Sequence, residues 1–543
     1  MTRPVAFVKA LRFRNPSRLI IAPQDIRTAD PTVADDIYAG YFSFCSKAVN
    51  VHGASPFLVE SPSEGWEKAL MGFGWLRDLR AADTGLAKAN AAALVDEWIT
   101  LRGAPGMNMA HNGAWAPDVA ARRLLSWLSH SPLILETADL RFYRQFMKAI
   151  GRHASYLRRE LESGLVGEDR LLAVIALSSA ALCTEGLNLS HKRISRLLTQ
   201  EISRQILLDG AHVGRNPKTI VELLLDFLPL RQTFVARNME PPAALLQAID
   251  RMLPMLRLFR HGDGALALFN GMGVTFQDGL STVLAYDDAR ARPLMHAISS
   301  GYQRAEAAGL IVIADMGKPP PPEFSCSAHA GTLSFEMSSG RSRIVVNCGV
   351  PESLQAASRV AVRVTAAHST LSIDDQPSSL IAGYHGADRL LAGRIISGPK
   401  HVVAERYENA DGITIQASHD GYAQRFGLVH ERGIAINPEG SAIAGRDRLV
   451  PAGKKASHGG TYTIRFHLHP SVRAGSIEAG HGALLVTADG QRWIFRCPCA
   501  PVSIEDSIFF AGPDGPRGTS QLVISGPVVP EQSMDWTFER QFD

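Results

Sequence analysis

The sequence predicts a multidomain α and β protein, in which a helical N-terminal region precedes a C-terminal antiparallel β-sandwich. Apolar residues recur with the helical period of 3.6 from about residue 35 to about residue 290, and they alternate with a period of two thereafter. The chain has 543 residues, which is too long for a single hydrophobic core. The predicted parts are an N-terminal extension (1–34), an α-helical domain (35–294) and a β-sandwich domain (295–543).

The helical prediction rests on apolar stripes and short connections. Within residues 139–162, one helix stripe is formed by Phe142, Phe146, Ile150, Leu157 and Leu161. Residues 243–260 carry a similar stripe, and this segment includes Pro254, which is expected to kink or split the helix. About seven to ten helices of ordinary length fit before residue 290. Their short connections favour antiparallel neighbours in a toroid or solenoid.

The C-terminal region carries strand and hairpin signals. In residues 461–470, one strand face is formed by Tyr462, Ile464, Phe466 and Leu468. Tight turns are predicted at Asp411-Gly412 and Asp489-Gly490. Residues 327–349 contain two alternating runs around a Ser-Ser-Gly turn, so we expect a hairpin there, with His329 at the start of its first strand.

Composition indicates an ordinary globular protein. The chain is 45% hydrophobic and 20% charged, with a formal net charge of +3, and it has no basic run typical of nucleic-acid binding. Its N-terminus lacks a continuous apolar segment, so we expect neither a signal peptide nor a membrane segment. A cytoplasmic location is therefore expected, with the periplasm as the alternative if the start site is misassigned. The six scattered cysteines fit reduced thiols.

Several sequence segments resemble the heparinase II/III-like family of polysaccharide lyases. The resemblance spans nearly the whole chain, and the segments that carry it are IYAGYFSF (37–44), GWEKALMGFGWLRDL (65–79), LLSWLSHSPLIL (124–135), LLLDFLPLRQ (223–232), AHAGTLSFEMSSG (328–340), AAHSTLSIDDQPSS (366–379) and HDGYAQRFGLVHERGI (419–434). It implies an incomplete α/α toroid, an antiparallel β-sandwich and a cleft between them. It also implies an acidic, uronate-containing polysaccharide or oligosaccharide as the partner, such as a glycosaminoglycan.

The chemistry implied by the resemblance is β-elimination by a carbon-oxygen lyase. This reaction needs neutralisation of the uronate carboxylate, a base for the adjacent C–H proton and an acid for the leaving oxygen. The family typically supplies an Asn-His pair, a Tyr in Ser-Pro-x-Tyr-His and a His in His-x-His-x-Asp. This chain has Glu168-Asp169 in place of the first, Asn216-Pro217 and Thr219-Ile220 in place of the second, and Ser327, His329 and Gly331 in place of the third.

Residues 209–227 contain the candidate site of the helical half. Asn216 is a plausible helix N-cap followed by Pro217, and the free N–H groups of a helix start favour an anion. His212 and Arg215 lie just upstream, and with His329 they are the candidate catalytic residues. Asn216 is a candidate for substrate binding. The alternative interpretation is a capped helix with a solvated arginine and a surface histidine.

The sandwich carries a candidate metal site. The resemblance matches His329 to a family histidine assigned to a metal, and the partner positions hold Asn347 and His368. No cofactor is required, but a divalent ion such as Zn²⁺ or Ca²⁺ is possible there. Two imidazoles and a neutral amide bind a divalent ion less well than two imidazoles and a carboxylate do. A metal-free hydrogen-bonded cluster is therefore the alternative.

Further candidates for substrate binding are His430, Arg432 and Trp115. His430 and Arg432 point to the same side of a strand and are expected to face the cleft, with a solvated sheet face as the alternative. Trp115 offers a ring for sugar stacking, although core packing is the commoner use. Glu168 and Asp169 are adjacent on a predicted helix, so they point about 100° apart and cannot flank one glycosidic bond.

Three functional hypotheses follow. The first is a lyase acting on an acidic polysaccharide with a rearranged set of catalytic residues. The second is a catalytically silent glycan-binding or assembly protein derived from the lyase fold, because the usual Asn-His and Tyr are not matched. The third is a glycoside hydrolase, for which the sequence offers no pair of facing carboxylates.

Overall fold

The computed structural model describes residues 15–103, 113–187, 189–287, 291–351, 358–383, 391–453, 460–477 and 480–542. Residues 1–14 of the predicted N-terminal extension therefore lie outside the described residues. The contacts divide the chain into two compact units. The first contains Met1–Ser203 with Leu225–Leu246, and the second contains Arg204–Leu224 with Gln247–Asp543.

The described helices precede most of the strands in the chain. They are α1 (Val33–Tyr38), α2 (Glu64–Gly72), α3 (Leu76–Ala82), α4 (Gly85–Arg102), α5 (Pro117–Ser129), α6 (Ser131–Leu135), α7 (Leu140–Glu162), α8 (Glu168–Cys183), α9 (His191–Gln205), α10 (Pro217–Ala236), α11 (Ala243–Leu258), α12 (Gln277–Ala285), α13 (Ser358–Ala361) and α14 (Ala423–Phe426).

Capping residues and apolar stripes explain where these helices form. The side chains of Ser63, Thr84 and Asp139 accept hydrogen bonds from backbone N–H groups in the first turns of α2, α4 and α7. The predicted stripe of α7 is buried from Phe146 onwards. Helix α11 continues through Pro254, so the predicted split does not occur.

The strands follow, with a few short ones among the helices. They are β1 (Arg18–Leu19), β2 (Tyr41–Phe44), β3 (Lys47–Asn50), β4 (Thr184–Glu185), β5 (His296–Ala297), β6 (Tyr302–Ala307), β7 (Leu310–Asp315), β8 (Phe335–Ser339), β9 (Ser342–Val346), β10 (Leu371–Ile373), β11 (Leu380–Ile381), β12 (Ile395–Ser397), β13 (Val402–Asn409), β14 (Gly412–His419), β15 (Leu428–Ile436), β16 (Ala442–Pro451), β17 (Thr461–Leu468), β18 (Arg473–Ile477), β19 (Gly482–Val486), β20 (Arg492–Arg496), β21 (Val502–Phe509), β22 (Arg517–Pro527) and β23 (Ser533–Gln541).

The second unit contains two large antiparallel sheets. One has the order β21-β22-β17-β9-β8-β7-β6-β5, with β10 paired to β17. The other has the order β13-β14-β15-β16-β23-β20-β19-β18. The fold class predicted from the sequence, helices followed by an antiparallel β-sandwich, is confirmed. The change from helix to strand falls between α12 and β5, whereas the domain limits at 294 and 295 stay a prediction.

A hydrophobic core holds the two sheets together. Phe335 of β8 stacks on Trp536 of β23, with ring centroids 5.6 Å apart and planes inclined by 2°. Phe466 of β17 packs edge-on against the same tryptophan at 4.9 Å. All three side chains are buried, and they belong to one continuous cluster contributed by both sheets.

The hairpin predicted within residues 327–349 is present, but its start differs. Strands β8 and β9 pair around Gly340 at φ +55°, with a register shift beside Met337. His329 does not begin the first strand, because β8 starts at Phe335. The intervening residues form turns that place His329 in a polar network.

Among the described residues, no helix combines the length and the apolar character needed to cross a bilayer.

Replacement of Phe335 by Ala should lower the free energy of unfolding of the sandwich by about 3–5 kcal/mol, because it removes a fully buried ring. Phe542 is exposed, so Phe542→Ala is the matched control and should change stability by less than about 0.5 kcal/mol. Urea unfolding followed by tryptophan fluorescence measures both variants. Equal losses in the two variants would contradict the role assigned to the Phe335 stack.

Candidate functional site

A buried polar network centred on Asp315 lies in the second unit. Asp315 ends strand β7, and its Oδ1 accepts a hydrogen bond from Arg215 Nη2 at 2.5 Å. Its Oδ2 accepts from Asn270 Nδ2 at 3.0 Å, and the Gly317 N–H also donates to Oδ1. The carboxylate is thus paired with a cation and hydrogen-bonded on both oxygens, as a buried charge requires.

Arg215 is the main partner of this carboxylate. Its Nε donates to the Ser300 carbonyl at 2.9 Å, and its Nη1 donates to the Lys318 carbonyl at 2.9 Å. The guanidinium also lies 4.6 Å from the ring centroid of Tyr302. The Arg215 backbone has φ +63°, a left-handed conformation that is unfavourable for a side chain of this size. Arg215 therefore acts as an internal clamp here, which does not support its predicted catalytic role.

Asn270 and Tyr302 complete the network, and the sequence analysis did not identify either. The Tyr302 hydroxyl donates to the Arg215 carbonyl at 2.7 Å and accepts from Asn270 Nδ2 at 2.6 Å. Asn270 Oδ1 accepts from the His329 N–H at 3.1 Å. The available signals were weak: an Asn-Gly pair at 270–271 and an aspartate ending the apolar run of β7.

His329 and His368 form a hydrogen-bonded pair, so the structure brings these two predicted residues together. His329 Nδ1 and His368 Nε2 are 2.8 Å apart. His368 Nδ1 lies 2.8 Å from the Val364 carbonyl, which only accepts, so Nδ1 carries the proton and Nε2 is the acceptor. His329 Nδ1 must then donate to His368. His329 Nε2 is left as a buried lone pair with no hydrogen-bond partner among the described residues.

This geometry does not fit the predicted metal site. Two nitrogens that bind one tetrahedral Zn²⁺ at about 2.0–2.1 Å lie roughly 3.3 Å apart, and both must offer lone pairs. Here the two nitrogens are 2.8 Å apart and share one proton. No group of three or more His, Cys, Asp or Glu side chains suited to a metal occurs in the described part of the chain.

Asn347, the third predicted ligand, belongs to a different cluster. Its Nδ2 donates to Glu336 Oε1 at 3.2 Å, and its Oδ1 accepts from the Ser369 N–H at 3.0 Å. Glu336 is itself fully buried and accepts from His261 Nε2 at 3.0 Å. Both ends of the Asn347 amide are therefore engaged in hydrogen bonds. Its Nδ2 supplies one of the donors that the buried carboxylate of Glu336 needs.

His212 and Asn216 lie in the segment that leads into α10. His212 Nε2 donates to Gln205 Oε1 at 3.1 Å, and its Nδ1 accepts from the Gly214 N–H at 3.0 Å. Burial lowers the pKa of His212 to about 3, so it is neutral near pH 7 with both nitrogens engaged. Asn216 Oδ1 accepts from the Lys218 N–H at 2.9 Å, which confirms the predicted cap.

His430 and Arg432 share one side of β15, as predicted, but that side is the interior. Asp447 of β16 accepts from His430 Nε2 at 2.6 Å, from Arg432 Nε at 2.8 Å and from Trp536 Nε1 at 2.8 Å. Burial alone would raise the pKa of Asp447, but Arg432 and His430 hold it below its usual range. Both residues are fully buried, so this conformation does not support their predicted contact with a sugar.

Trp115 lies in the first unit among other aromatic rings. Its ring stacks on His153 with centroids 4.7 Å apart, and its Nε1 donates to the Arg102 carbonyl at 2.8 Å. The buried Arg123 guanidinium lies 5.2 Å from the same ring. These contacts are typical of internal packing, and sugar stacking by Trp115 stays a prediction.

The Asp315 network offers little for β-elimination in this conformation. Tyr302 uses its hydroxyl as donor and acceptor, and burial raises its pKa above the usual value. Burial, with a smaller effect of His368, holds the pKa of His329 well below its usual range. The lone pair of His329 Nε2, which lacks a partner among the described residues, therefore belongs to a weak base.

Comparison with known proteins identifies the family. The model for the Heparinase II/III-like, C-terminal family matches residues 289–537. FtsZ-localized protein C of Caulobacter vibrioides is 30% identical over 530 residues, which cover 95% of this chain and 89% of that protein. The chain belongs to the heparinase II/III-like family.

Solved structures of the heparinase II/III-like family share the fold. A crystal structure of heparinase III superimposes with a TM-score of 0.71 at 14% identity, covering 91% of this chain and 80% of the other. A mutant of the heparan sulfate lyase HepC from Pedobacter heparinus gives 0.66 at 14% identity, covering 96% and 84%. The toroid and sandwich of the polysaccharide lyases are thus the fold of this chain.

The position where the family resemblance expects Asn-His is the start of α8. Glu168 is its first residue and is exposed, and Asp169 is partly buried. Burial, followed by the nearby charge of Asp118, raises the pKa of Asp169 to about 6. Acids at a helix N-terminus interact favourably with the helix dipole, so this position is compatible with a structural role of the dipeptide.

Replacement of Asp315 by Asn should destabilise the second unit by about 3–5 kcal/mol, because the buried Arg215 guanidinium loses its counter-charge. Asp535 pairs with Arg446 at the surface, so Asp535→Asn is the matched control and should cost less than about 1 kcal/mol. Thermal unfolding measures the loss of stability in both variants. A stable Asp315→Asn protein would argue against the buried ion pair as a structural requirement.

Stability should fall between pH 7 and pH 5, partly through His368. Burial lowers the pKa of His368 to about 4 in the folded chain, whereas the unfolded residue titrates near 6.5. Between these values the histidine is protonated in the unfolded chain but not in the folded chain, so acid favours unfolding. This residue alone should remove about 2 kcal/mol over that range. His368→Leu should flatten the pH dependence by that amount, and the same change at exposed His401 should not. Parallel curves for wild type and His368→Leu would refute the assignment.

Proposed function

We propose that this chain is a catalytically silent member of the lyase fold that works as a binding or assembly protein. The observation that carries the proposal is that two candidate catalytic residues, Arg215 and His212, are fully engaged in internal hydrogen bonds, while the third, His329, is buried. Arg215 is paired with Asp315, and both nitrogens of His212 are engaged. An elimination site needs an accessible base and an accessible acid, and these residues provide neither in this conformation.

The assembly partner that the comparisons suggest is FtsZ. The Caulobacter vibrioides relative, which resembles this chain over almost its whole length, is named for its localisation with FtsZ. Similarity of this extent supports a shared role more strongly than fold likeness at 14% identity does. We propose that this chain also associates with FtsZ.

The test is co-sedimentation with polymers of FtsZ from the same organism as this chain. We expect the chain to enter the pellet when FtsZ polymerises with GTP and to stay in the supernatant when FtsZ is absent. Heparinase III is the matched control, because it has the same fold and low sequence identity. Equal recovery of both proteins in the pellet, or recovery of neither, would overturn the FtsZ assignment.

The second candidate function is a lyase acting on uronate-containing polysaccharides, as the family resemblance implies. The observation that favours it is the lone pair of His329 Nε2, which has no hydrogen-bond partner among the described residues. In this case a change of conformation must expose the imidazole to a substrate. The partner would then be an acidic glycan, and the base would be His329.

An absorbance assay separates the two functions. The chain is incubated with heparan sulfate, hyaluronan, alginate and polygalacturonate, and unsaturated uronate products are followed by their ultraviolet absorbance. We expect no product from this chain and rapid product from the heparan sulfate lyase HepC of Pedobacter heparinus on heparan sulfate. Product formation that is lost in His329→Ala, with folding intact by circular dichroism, would establish the lyase and end the proposal of a silent protein.

A further inference from the structure

A cavity lined by both charged and apolar residues lies within the first unit, apart from all the candidate residues described above. Its volume is about 390 Å³. Helices α2, α3, α5, α8 and α10 contribute to its wall, together with the segment around Asp25 and the strand β2. This volume is at the lower end of the range for small-molecule sites, so the cavity suits a compact ligand rather than a polymer.

Two carboxylates and three guanidinium groups form a continuous chain of ion pairs along this wall. Asp226 accepts from Arg122 Nη1 with both oxygens at 2.7 Å and from Arg27 Nη2 at 2.8 Å. Asp25 accepts from Arg77 Nε at 3.2 Å and from the Arg27 N–H at 3.1 Å. The carboxylates fix the directions of the guanidinium groups, so the donors of the wall are preorganised.

Exposure differs sharply between the two signs of charge. The side chains of Asp226 and Asp25 are only 3% and 10% exposed, whereas those of Arg122 and Lys68 are 34% and 41% exposed. Asp226 and Asp25 therefore lie beneath their arginines. Lys68 Nζ is already 3.1 Å from Asp118 Oδ2 and 3.3 Å from Glu64 Oε1, so Arg122 supplies the accessible positive charge of the wall. Asp78 is a further acid of the wall, and burial raises its pKa. The wall selects an anion.

The rest of the wall combines hydroxyl groups with apolar surface. Ser129 and Ser179 line the cavity, and Trp75 and Leu225 form apolar patches between the charges. Trp75 Nε1 donates to the Leu70 carbonyl, so the ring offers its apolar surface without an unsatisfied donor. Hydroxyl groups beside apolar side chains suit a ligand ring that has hydroxyl groups at its edge and C–H groups on its faces.

We propose that this cavity binds a compact hydroxylated anion, a single sugar-sized ring bearing one carboxylate or phosphate group. The anion contacts Arg122, and the ring lies against Trp75. The site is independent of the proposed function, because none of its residues belongs to the Asp315 network. Carboxylate and phosphate groups both present anionic oxygens that accept hydrogen bonds from guanidinium groups.

Calorimetric titration of the full chain with four probes tests this proposal. The probes are D-glucuronate, glucose 6-phosphate, glucose and inorganic phosphate. We expect saturable binding of glucuronate or of glucose 6-phosphate, and the tighter of the two identifies the anionic group. Glucose should bind at least about tenfold more weakly, because it lacks the charge. Phosphate alone should also bind more weakly, because it lacks the ring.

Two variants locate the binding in the cavity. Arg122→Gln removes the exposed cation and should weaken binding at least about tenfold. Ala69→Phe fills the cavity from α2, leaves all the ion pairs in place and should abolish binding. Arg446→Gln, at an exposed position on β16, is the matched control and should bind as the wild type does.

The outcomes that overturn the proposal are distinct. Binding of none of the probes would exclude the site, and equal binding of glucose and glucuronate would exclude an anionic ligand. Equal binding of phosphate and the sugar anions would exclude recognition of the ring. Wild-type affinity in a folded Ala69→Phe protein would place the ligand elsewhere. Because none of these results depends on FtsZ, failure here leaves the proposed function untouched.

Discussion

The burial of Asp315 is the constraint on which the polar interior of the second unit depends. An uncompensated carboxylate in that position would cost several kcal/mol, so every neighbour is placed to supply a donor. Arg215 and Asn270, which both donate to it, have positive backbone φ values of 63° and 49°. Such conformations cost about 1–3 kcal/mol each and persist only where surrounding contacts enforce them. Both donors to this one charge thus adopt backbone conformations that the surrounding contacts must enforce.

The same requirement is met at the other buried acids of the sandwich. Glu336 is satisfied by His261 and Asn347, and Asp447 is satisfied by His430, Arg432 and Trp536. These are the residue types that a polysaccharide lyase would use for proton transfer and for neutralising a carboxylate. Here each one neutralises or donates to an acid of the protein itself. The family fold is therefore compatible with a structural use of residues whose chemistry suggests catalysis.

The sequence was sufficient where periodicity alone decides the outcome. The stripe of α7, the cap at Asn216 and the alternating face of β17 all lie as predicted. For β15, period two correctly places His430 and Arg432 on one side, but their polarity alone led to a cleft-facing prediction, whereas that side is buried. Leu428, Ile434 and Ile436 have the same parity, so this face was recognisable as the core. The acid that makes the burial tolerable, Asp447, comes from the next strand, and only its pairing with β15 in the fold brings it there.

Both units pair arginine with aspartate, but the arginine is buried in the second unit and partly exposed in the first. In the second unit, Arg215 and Asp315 are both buried, and the guanidinium donates to carbonyl groups as well as to the carboxylate. In the first unit, Asp226 is similarly buried and Asp25 is 10% exposed, but their arginines remain partly exposed along a cavity. A guanidinium has five N–H donors, so a carboxylate beneath it can fix its orientation while an accessible edge still faces a ligand. Ligand recognition therefore depends less on which residues are present than on how much of each cation the fold leaves exposed.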